Sequence, residues 1–338
     1  MATRVSLVTG GAGFLGSHVA DELIARGHDV VVLDDLSGGF RENVPDRACF
    51  VEGSIVDSTL VERLFAKYRF DHVFHLAAYA AEGLSHFIRR FNYTNNLIGS
   101  TTLINAAVQH GCRCFVFTSS IAVYGAGQTP MDEEMTPLPE DPYGIAKYAV
   151  ELDLAAAKRL FGLDYIVFRP HNVYGERQNI GDKYRNVIGI IMNQVMRGLP
   201  CTIFGDGSQT RAFTHVADVA PVIADSVDVQ AARGQVFNLG ADIPYSVLDL
   251  ARMVQNAMGV HTGCRFLGAR KEVLHAYSTH EKVAKILGCR PAISLEEGLA
   301  RMATWAWKMG PRSGVDFGEI EVPLGLPEIW ESRQCTTA

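Results

Sequence analysis

The sequence predicts an α/β fold, a doubly wound parallel sheet followed by a smaller C-terminal α/β unit. Three observations carry that reading. Short apolar runs alternate with helical patterns through the first half of the chain, and strands separated by helices build a parallel sheet covered on both faces. The first apolar run breaks into Gly10-Gly11-Ala12-Gly13-Phe14-Leu15-Gly16, which opens a helical pattern. The second run ends in Asp34-Asp35.

The elements follow in order. Val5 to Val8 reads as a strand, and Phe14 to about Arg26 as a helix with Gly27 as its C-terminal stop. Asp29 to Leu33 is the second strand; His72 to Leu76 and Cys114 to Phe117 are further buried strands. Between those two, Asn96 to Gln109 is helical, with Leu97, Leu103, Ile104 and Ala107 on one apolar face. Pro142 to Phe161 is the next helix, ended by Gly162, and Tyr165 to Phe168 the next strand. After Pro170 the signals shorten. Val216 to Val227 reads as a helix and Val236 to Leu239 as a strand returning to the sheet. Ser246 with Asp249, and Ser294 with Glu297, form capping boxes that start two late helices. The tail after about Gly310 carries little periodicity and is expected to be irregular and peripheral.

Composition narrows the function. The chain has 338 residues, 48% hydrophobic and 20% charged, so a buried core is easily supplied. Net charge is −6 without a basic patch, which argues against nucleic acid as a partner. The N-terminus lacks a charged region followed by an apolar run. No apolar stretch approaches the roughly 18 residues that span a bilayer. A soluble cytoplasmic protein is expected, with no membrane partner. The seven cysteines are odd in number and scattered, so no disulfide framework is expected. Cys112 and Cys114 read as small residues entering a buried strand, His75 as a satisfied core histidine, and no spacing suggests a metal site.

The glycine turn carries chemistry. Gly10, Gly13 and Gly16 let the backbone turn tightly and approach a pyrophosphate, and the helix start offers free N–H groups and a positive dipole end. A bare glycine triplet is weak evidence. Here it follows a strand and opens a helix, and the second strand ends in an acid. Asp34 is the expected acceptor for the adenine ribose hydroxyls. It would repel a 2′-phosphate, so NAD is favoured over NADP. The first unit is therefore read as a Rossmann-type NAD-binding domain.

Tyr143 and Lys147 stand four residues apart behind Asp141-Pro142. Residues at i and i+4 share one helix face. Asp141 suits the N-cap and Pro142 the first helical position. A free tyrosine is a poor base at neutral pH, and a nearby ammonium is expected to lower its pKa. Upstream, Thr118-Ser119-Ser120 leaves the end of a parallel strand, where ligands of such sheets bind. Ser120 is the expected partner for a substrate hydroxyl.

These motifs together resemble the extended short-chain dehydrogenase/reductases acting on nucleotide-sugars. Asn172-Val173-Tyr174-Gly175 matches, as does Phe204-Gly205-Asp206-Gly207 followed by Gln209-Thr210-Arg211. The resemblance covers roughly residues 4 to 310. It implies a NAD-binding domain over 1–170 with returns near 213–240. A nucleotide-sugar domain spans 171–212 and 241–312, and an irregular tail 313–338. A homodimer through the Asn96 and Pro142 helices is implied. Around NAD it implies Phe14, Leu15, Ser54, Ile55, Leu76, Ala77, Ala78, Asn96, Tyr143, Lys147 and Pro170, beside the glycines and Asp34. It makes Tyr143 the base, with Lys147 on the nicotinamide ribose and Ser120 aiding proton transfer.

For the sugar nucleotide it implies Ser120, Asn172, Val187, Thr202, Phe204, Arg211 and Arg270. Arg211 and Arg270 are expected on the diphosphate, where a guanidinium fork suits phosphate oxygens. Dehydratases of this kind carry Asp-Glu at the positions of Ile121 and Ala122, decarboxylases commonly Glu at Ala122, and GDP-mannose 3,5-epimerases Cys there. This chain has two apolar residues, which suits a 4-epimerase of a nucleoside-diphosphate hexose, UDP-linked, acting through a transient 4-keto sugar. Departures concern the sugar. The lysine of familiar galactose epimerases near Ala80 is absent, Ala212 replaces the acid after Arg211, and Ala81-Glu82-Gly83 and His171-Asn172 look closer to the 3,5-epimerases. Alternatives are a UDP-glucuronate 4-epimerase, a decarboxylase, a 4,6-dehydratase, a GDP-mannose 3,5-epimerase-like enzyme, and a non-catalytic NAD-binding scaffold.

Overall fold

The computed structural model describes residues 3–127, 129–269, 273–314, 317–327 and 330. The chain opens with β1 (Val5–Thr9), α1 (Phe14–Ala25) and β2 (Asp29–Asp34). Next come β3 (Cys49–Glu52), α2 (Ser58–Tyr68) and β4 (His72–His75). Two short helices, α3 (Glu82–Ser85) and α4 (Arg89–Tyr93), run through a single π-helical turn (Thr94–Ile98) into α5 (Gly99–Gln109). After β5 (Cys114–Thr118) a 3₁₀ turn (Ile121–Tyr124) precedes α6 (Pro142–Phe161) and β6 (Asp164–Pro170).

The second half is built from shorter pieces: β7 (Val173–Tyr174), α7 (Val187–Met196), β8 (Cys201–Phe204), β9 (Thr210–Ala212), β10 (Thr214–His215) and α8 (Val216–Asp225). Then follow β11 (Gln235–Leu239), β12 (Pro244–Ser246), α9 (Val247–Met258), β13 (Cys264–Leu267), β14 (His275–Ala276), α10 (Glu281–Leu287) and α11 (Leu295–Met309). Ser246 and Ser294 cap α9 and α11 through their side chains, as their sequence context anticipates.

The central sheet has seven parallel strands in the order β11-β6-β5-β4-β1-β2-β3. The chain leaves β1 outward to β3 and returns on the other side to β4. The reversal opens a crevice beyond the C-terminal ends of β1 and β4, the place where such sheets bind ligands. Alternating side chains fill the two faces. Val8, Val32, Phe74 and Phe168 pack under α1 and α8, while Leu7, Val31, Val73 and Phe117 pack under α2, α5 and α6. Each such fully buried side chain contributes about 1.5–3 kcal/mol relative to exposure.

A separate core lies among α7, α9 and α11, built from Ile188, Ile191, Leu250, Val254, Leu299 and Met302. His75 bonds Thr9 Oγ1 at 2.7 Å and Ser100 Oγ at 2.8 Å, so both ring nitrogens are satisfied in the core. The six described cysteines are free. No described helix is long and apolar enough to cross a membrane.

Two features depart from the sequence expectation. The helix expected from Asn96 is continuous with α4, because the π-helical turn absorbs an extra residue there. The segment after Gly310 is irregular but not peripheral. Asn193 holds the Arg312 backbone through both amide atoms. The Glu321 carboxylate accepts from Arg90 N and Phe91 N at the start of α4. Phe317 packs on Tyr79 and Phe91, and Trp330 is buried against Phe87 and Tyr184. Its few apolar residues lack a period because they pack as isolated anchors rather than along a helix or strand face.

Candidate active site

Two helix starts carry the candidate site. At α1, Gly13 occupies the cap position with extended backbone and contributes no side-chain bond, and the first turn holds no acid. An uncapped helix start leaves N–H groups for an anion. Gly10 has φ +72°, and a Cβ there would lie 2.7 Å from Ala77 N; a Cβ on Gly16 would lie 2.1 Å from Gly10 O. Turn, helix and the end of β4 therefore meet as bare backbone.

At the end of β2, Asp34 accepts from Ala12 N at 3.0 Å and Leu36 N at 2.8 Å. Burial pushes its pKa upward, opposed by these amide bonds. With a further bond from the Gly13 backbone, the carboxylate still keeps acceptor capacity for a hydroxyl. Gly10, Gly13, Phe14, Leu15, Gly16, Asp34, Ile55, Leu76, Ala77 and Ala78 all line one cleft of about 170 Å³. This cradle, which a Cβ would fill, suits the close backbone approach of a dinucleotide's pyrophosphate.

Three further expected cofactor residues sit apart from that wall. Ser54 Oγ accepts from Val56 N at 3.3 Å. Asn96 is buried and spends its amide on Tyr79, accepting from its N–H at 2.8 Å and donating to its carbonyl at 3.1 Å. It thereby pins the wall rather than facing the cleft. Pro170 ends β6 opposite Leu239.

The start of α6 is satisfied internally. Asp141 accepts from Gly144 N at 2.9 Å, and Pro142 takes the first turn. Ser85 Oγ accepts from Tyr143 N at 3.3 Å, and Asn92 donates to Pro142 O at 2.9 Å. Tyr143 is thus held between α6, α3 and α4, and its phenol hydrogen-bonds Ser120. Ser120 Oγ also accepts from Ala122 N at 3.1 Å, fixing the 3₁₀ turn.

Lys147 corrects the sequence expectation. Its Nζ donates to Thr118 O at 2.7 Å and lies 4.7 Å from the Phe117 ring centre. Burial pulls its pKa down to about 7, opposed by the Glu151 carboxylate. Burial pushes the Tyr143 phenol well up, and the Ser120 hydrogen bond is the main opposing influence. Burial thus works against the charged form of both groups, the ammonium as well as the phenolate it was expected to favour.

The expected substrate residues are spread over the second half. Asn172, with φ +42°, donates to Ala212 O at 3.1 Å. Val187 is the first residue of α7. Thr202 is held by Gln194 through its backbone N–H and its hydroxyl, while Phe204 ends β8. Arg211 donates to the carbonyls of Val273 and Leu274 at 2.6 and 3.0 Å, bracing the loop before β14. Arg270 lies outside the described residues. His215 caps α8 and His275 bonds Thr210 Oγ1 at 2.8 Å, so each has a structural partner.

A model of the NAD dependent epimerase/dehydratase family matches residues 6–240. The chain belongs to this family. The UDP-glucose 4-epimerase of Mycolicibacterium smegmatis is 36% identical over 304 residues, covering 88% of this chain and 96% of that protein. The UDP-glucose 4-epimerase of Thermotoga maritima, solved with UDP-glucose, superposes with a TM-score of 0.87 at 36% identity, covering 90% of this chain and 99% of the other. The UDP-glucuronic acid 4-epimerase of Bacillus cereus, solved with UDP-glucuronic acid and NAD, superposes at 0.84 with 27% identity, covering 90% and 100%.

This family member also carries a buried network that the sequence reading did not single out. Arg169 forks onto Glu151 at 3.0 and 2.6 Å, and Ser119 Oγ donates to the same carboxylate at 2.5 Å. Arg169 also donates to Tyr124 OH at 2.8 Å, which donates to Asn238 at 2.8 Å. The network ties α6 to β5, β6, β11 and the 3₁₀ turn. Its sequence signal was the continuation of the Tyr143–Lys147 spacing by one more turn to Glu151. No cluster able to hold a metal ion occurs among the described residues.

Proposed function

We propose that the protein catalyses NAD-dependent 4-epimerisation of a nucleoside-diphosphate hexose of the UDP-glucose/UDP-galactose type. The observation that carries this reading is the hydrogen-bonded Ser120–Tyr143 pair in a chain that also carries an uncapped glycine turn at α1, with Ile121 and Ala122 following Ser120 in the 3₁₀ turn. Neither of those side chains can transfer a proton. Dehydration, decarboxylation and C5 epimerisation each need a second acid or base. Removing hydride from one carbon and returning it to the other face does not. The relatives named UDP-glucose 4-epimerase favour the UDP-linked hexose.

NAD held on the glycine turn would supply a hydride acceptor for C4 and, once reduced, the hydride donor for the return step. The chain's own residues do the rest. In its phenolate form, which the Arg185 charge favours, Tyr143 accepts the C4 hydroxyl proton, and Ser120 bridges the phenolate and the hydroxyl so that the proton moves along a short path. Lys147, anchored on Thr118 O, would hold the nicotinamide ribose. Asp34 would take the adenine ribose. Asn172, Val187, Thr202, Phe204, Arg211 and Arg270 would form the nucleotide-sugar side. The sugar would then lie between the domain over 1–170 and the one over 171–212 and 241–312.

We further propose a homodimer through α5 and α6, where Ile98, at the end of the π-helical turn leading into α5, and Ile145 and Leu152 of α6 are exposed. Ile145 and Leu152 are one heptad apart on one face. Light scattering on the purified protein is expected to give twice the chain mass. For the activity, UDP-glucose, UDP-glucuronate, dTDP-glucose and GDP-mannose are each followed by NMR. Interconversion of UDP-glucose and UDP-galactose is expected. Turnover of UDP-glucuronate alone would move the assignment to the acid sugar, and loss of water or of carbon dioxide would refute epimerisation.

A further inference from the structure

The cleft at the glycine turn is too small for its ligand as it stands. At about 170 Å³ it falls short of the roughly 300 Å³ and more that small-molecule sites occupy. It shares lining residues with a second cavity of about 940 Å³, whose wall includes Arg312–Gly314 and Phe317–Glu319. Ser37, Tyr79, Asp182 and Arg185 line both, so they form the junction. A ligand seated on the glycine turn lies against this junction.

Arg185 is placed to meet it. Its guanidinium lies 4.8 Å from the Tyr79 ring centre on one side. On the other, its terminal nitrogen is 3.3 Å from where a Gly38 Cβ would stand. It thus spans the mouth from the loop after β2 to the wall after β4. Asp182 holds it there, accepting from Nε at 2.7 Å and from the terminal nitrogen at 2.5 Å, while also accepting from Tyr184 N at 2.8 Å.

The charge balance asks for such a group. The charged side chains lining the cleft, among the described residues, are Asp34, Asp35, Asp182 and Arg185. Only Arg185 is positive. A diphosphate entering among three carboxylates needs a cation as well as helix N–H groups. Arg185 also sits within electrostatic reach of Tyr143, where its charge favours the phenolate.

We propose that Arg185 is a cofactor-binding residue, a clasp from the loop before α7 that grips the diphosphate of the dinucleotide across the mouth of the cleft. The proposal rests on the cofactor reading above. It gives the cluster Lys183-Tyr184-Arg185 a division of labour: Tyr184 packs on Trp330, and Arg185 faces the ligand.

The test is calorimetric binding of NAD, ADP-ribose and adenosine to cofactor-free protein, wild type and Arg185→Met. Loss of one phosphate contact is expected to weaken NAD and ADP-ribose by about tenfold or more. Adenosine, which lacks phosphate, should bind as before. Arg185→Lys should restore part of the loss, and binding to Arg185→Met should depend less on salt than binding to wild type. Asp182→Asn, which removes the competing carboxylate, should tighten ADP-ribose. Unchanged affinities in Arg185→Met, or equal weakening of adenosine, would overturn the clasp while leaving the cofactor reading intact. A wild-type protein that binds neither NAD nor ADP-ribose would overturn that reading and the clasp with it.

Discussion

The two helix starts at the site solve the same problem in opposite ways. Both α1 and α6 begin with N–H groups that need acceptors. At α6 the chain supplies one itself: Asp141 caps, Pro142 removes a donor, and Ser85 and Asn92 hold the neighbouring backbone. At α1 it supplies none, and Gly13 stands where a cap would be. The self-satisfied start positions a reacting side chain, and the unsatisfied one receives a ligand. Where a helix lacks its cap beside tightly packed glycines, the missing acceptor is itself the signal of an anion site.

The sharpest way to test that division is to remove chemistry from one start and leave the other alone. Tyr143→Phe is expected to lower turnover by about 10²–10⁴-fold, read by coupled assay of UDP-galactose conversion. NAD retained per chain should be unchanged. The converse is Gly13→Asp, which gives α1 the kind of cap α6 has. The new carboxylate would occupy and repel at the anion site, so NAD affinity should fall by about a hundredfold, roughly 2.7 kcal/mol. The melting temperature should stay close to wild type, because the cap offsets the close approach of its Cβ to Gly10 O, 3.0 Å away. If Gly13→Asp bound NAD normally, the contrast would be void.

The Lys147 charge gives a smaller, pH-dependent test. Its pKa is about 7 in the folded chain against an ordinary value near 10.5. Between those values the unfolded chain binds more protons, so stability rises with pH across that window and carries a constant penalty below it. Denaturant titrations should show an increase on the order of a few kcal/mol from pH 7 to 10, absent in Lys147→Met. Above pH 10 the raised Tyr143 pKa works the other way, since the folded chain keeps the proton that the unfolded chain releases. The smallest effect belongs to Asp141→Ala. Loss of the cap should cost about 1 kcal/mol by chemical denaturation, with NAD binding unaltered.

The parts of this comparison that lie within one element were legible in the sequence. The glycine turn, Asp34, the Asp141-Pro142 start and the Tyr143–Lys147 pair each follow from spacing along one strand or helix. What spacing cannot convey is burial. Lys147 Nζ lies 5.7 Å from the Tyr143 ring centre, as their spacing predicts, but spacing does not convey the desolvation that acts on both groups. Contacts between distant segments were equally hidden. Arg211 on the 273–274 carbonyls, Asn96 on Tyr79, and the tail anchored by Phe317 and Trp330 join residues with no shared period. In the sequence, Arg185 is one of three polar neighbours, Lys183-Tyr184-Arg185, before α7, and nothing in that run tells which of them meets a ligand. Its place at the junction of two cavities depends on a loop closing over Gly38.

Hydride removal and return at a single carbon, with Tyr143 as the only base, is tested most directly by isotope position. UDP-glucose carrying deuterium at C4 is incubated with the enzyme in ordinary water, and the product is examined by NMR. The account predicts UDP-galactose that keeps its deuterium at C4 and gains no solvent hydrogen at C3 or C5. Washout of the label, or exchange at C5, would contradict it.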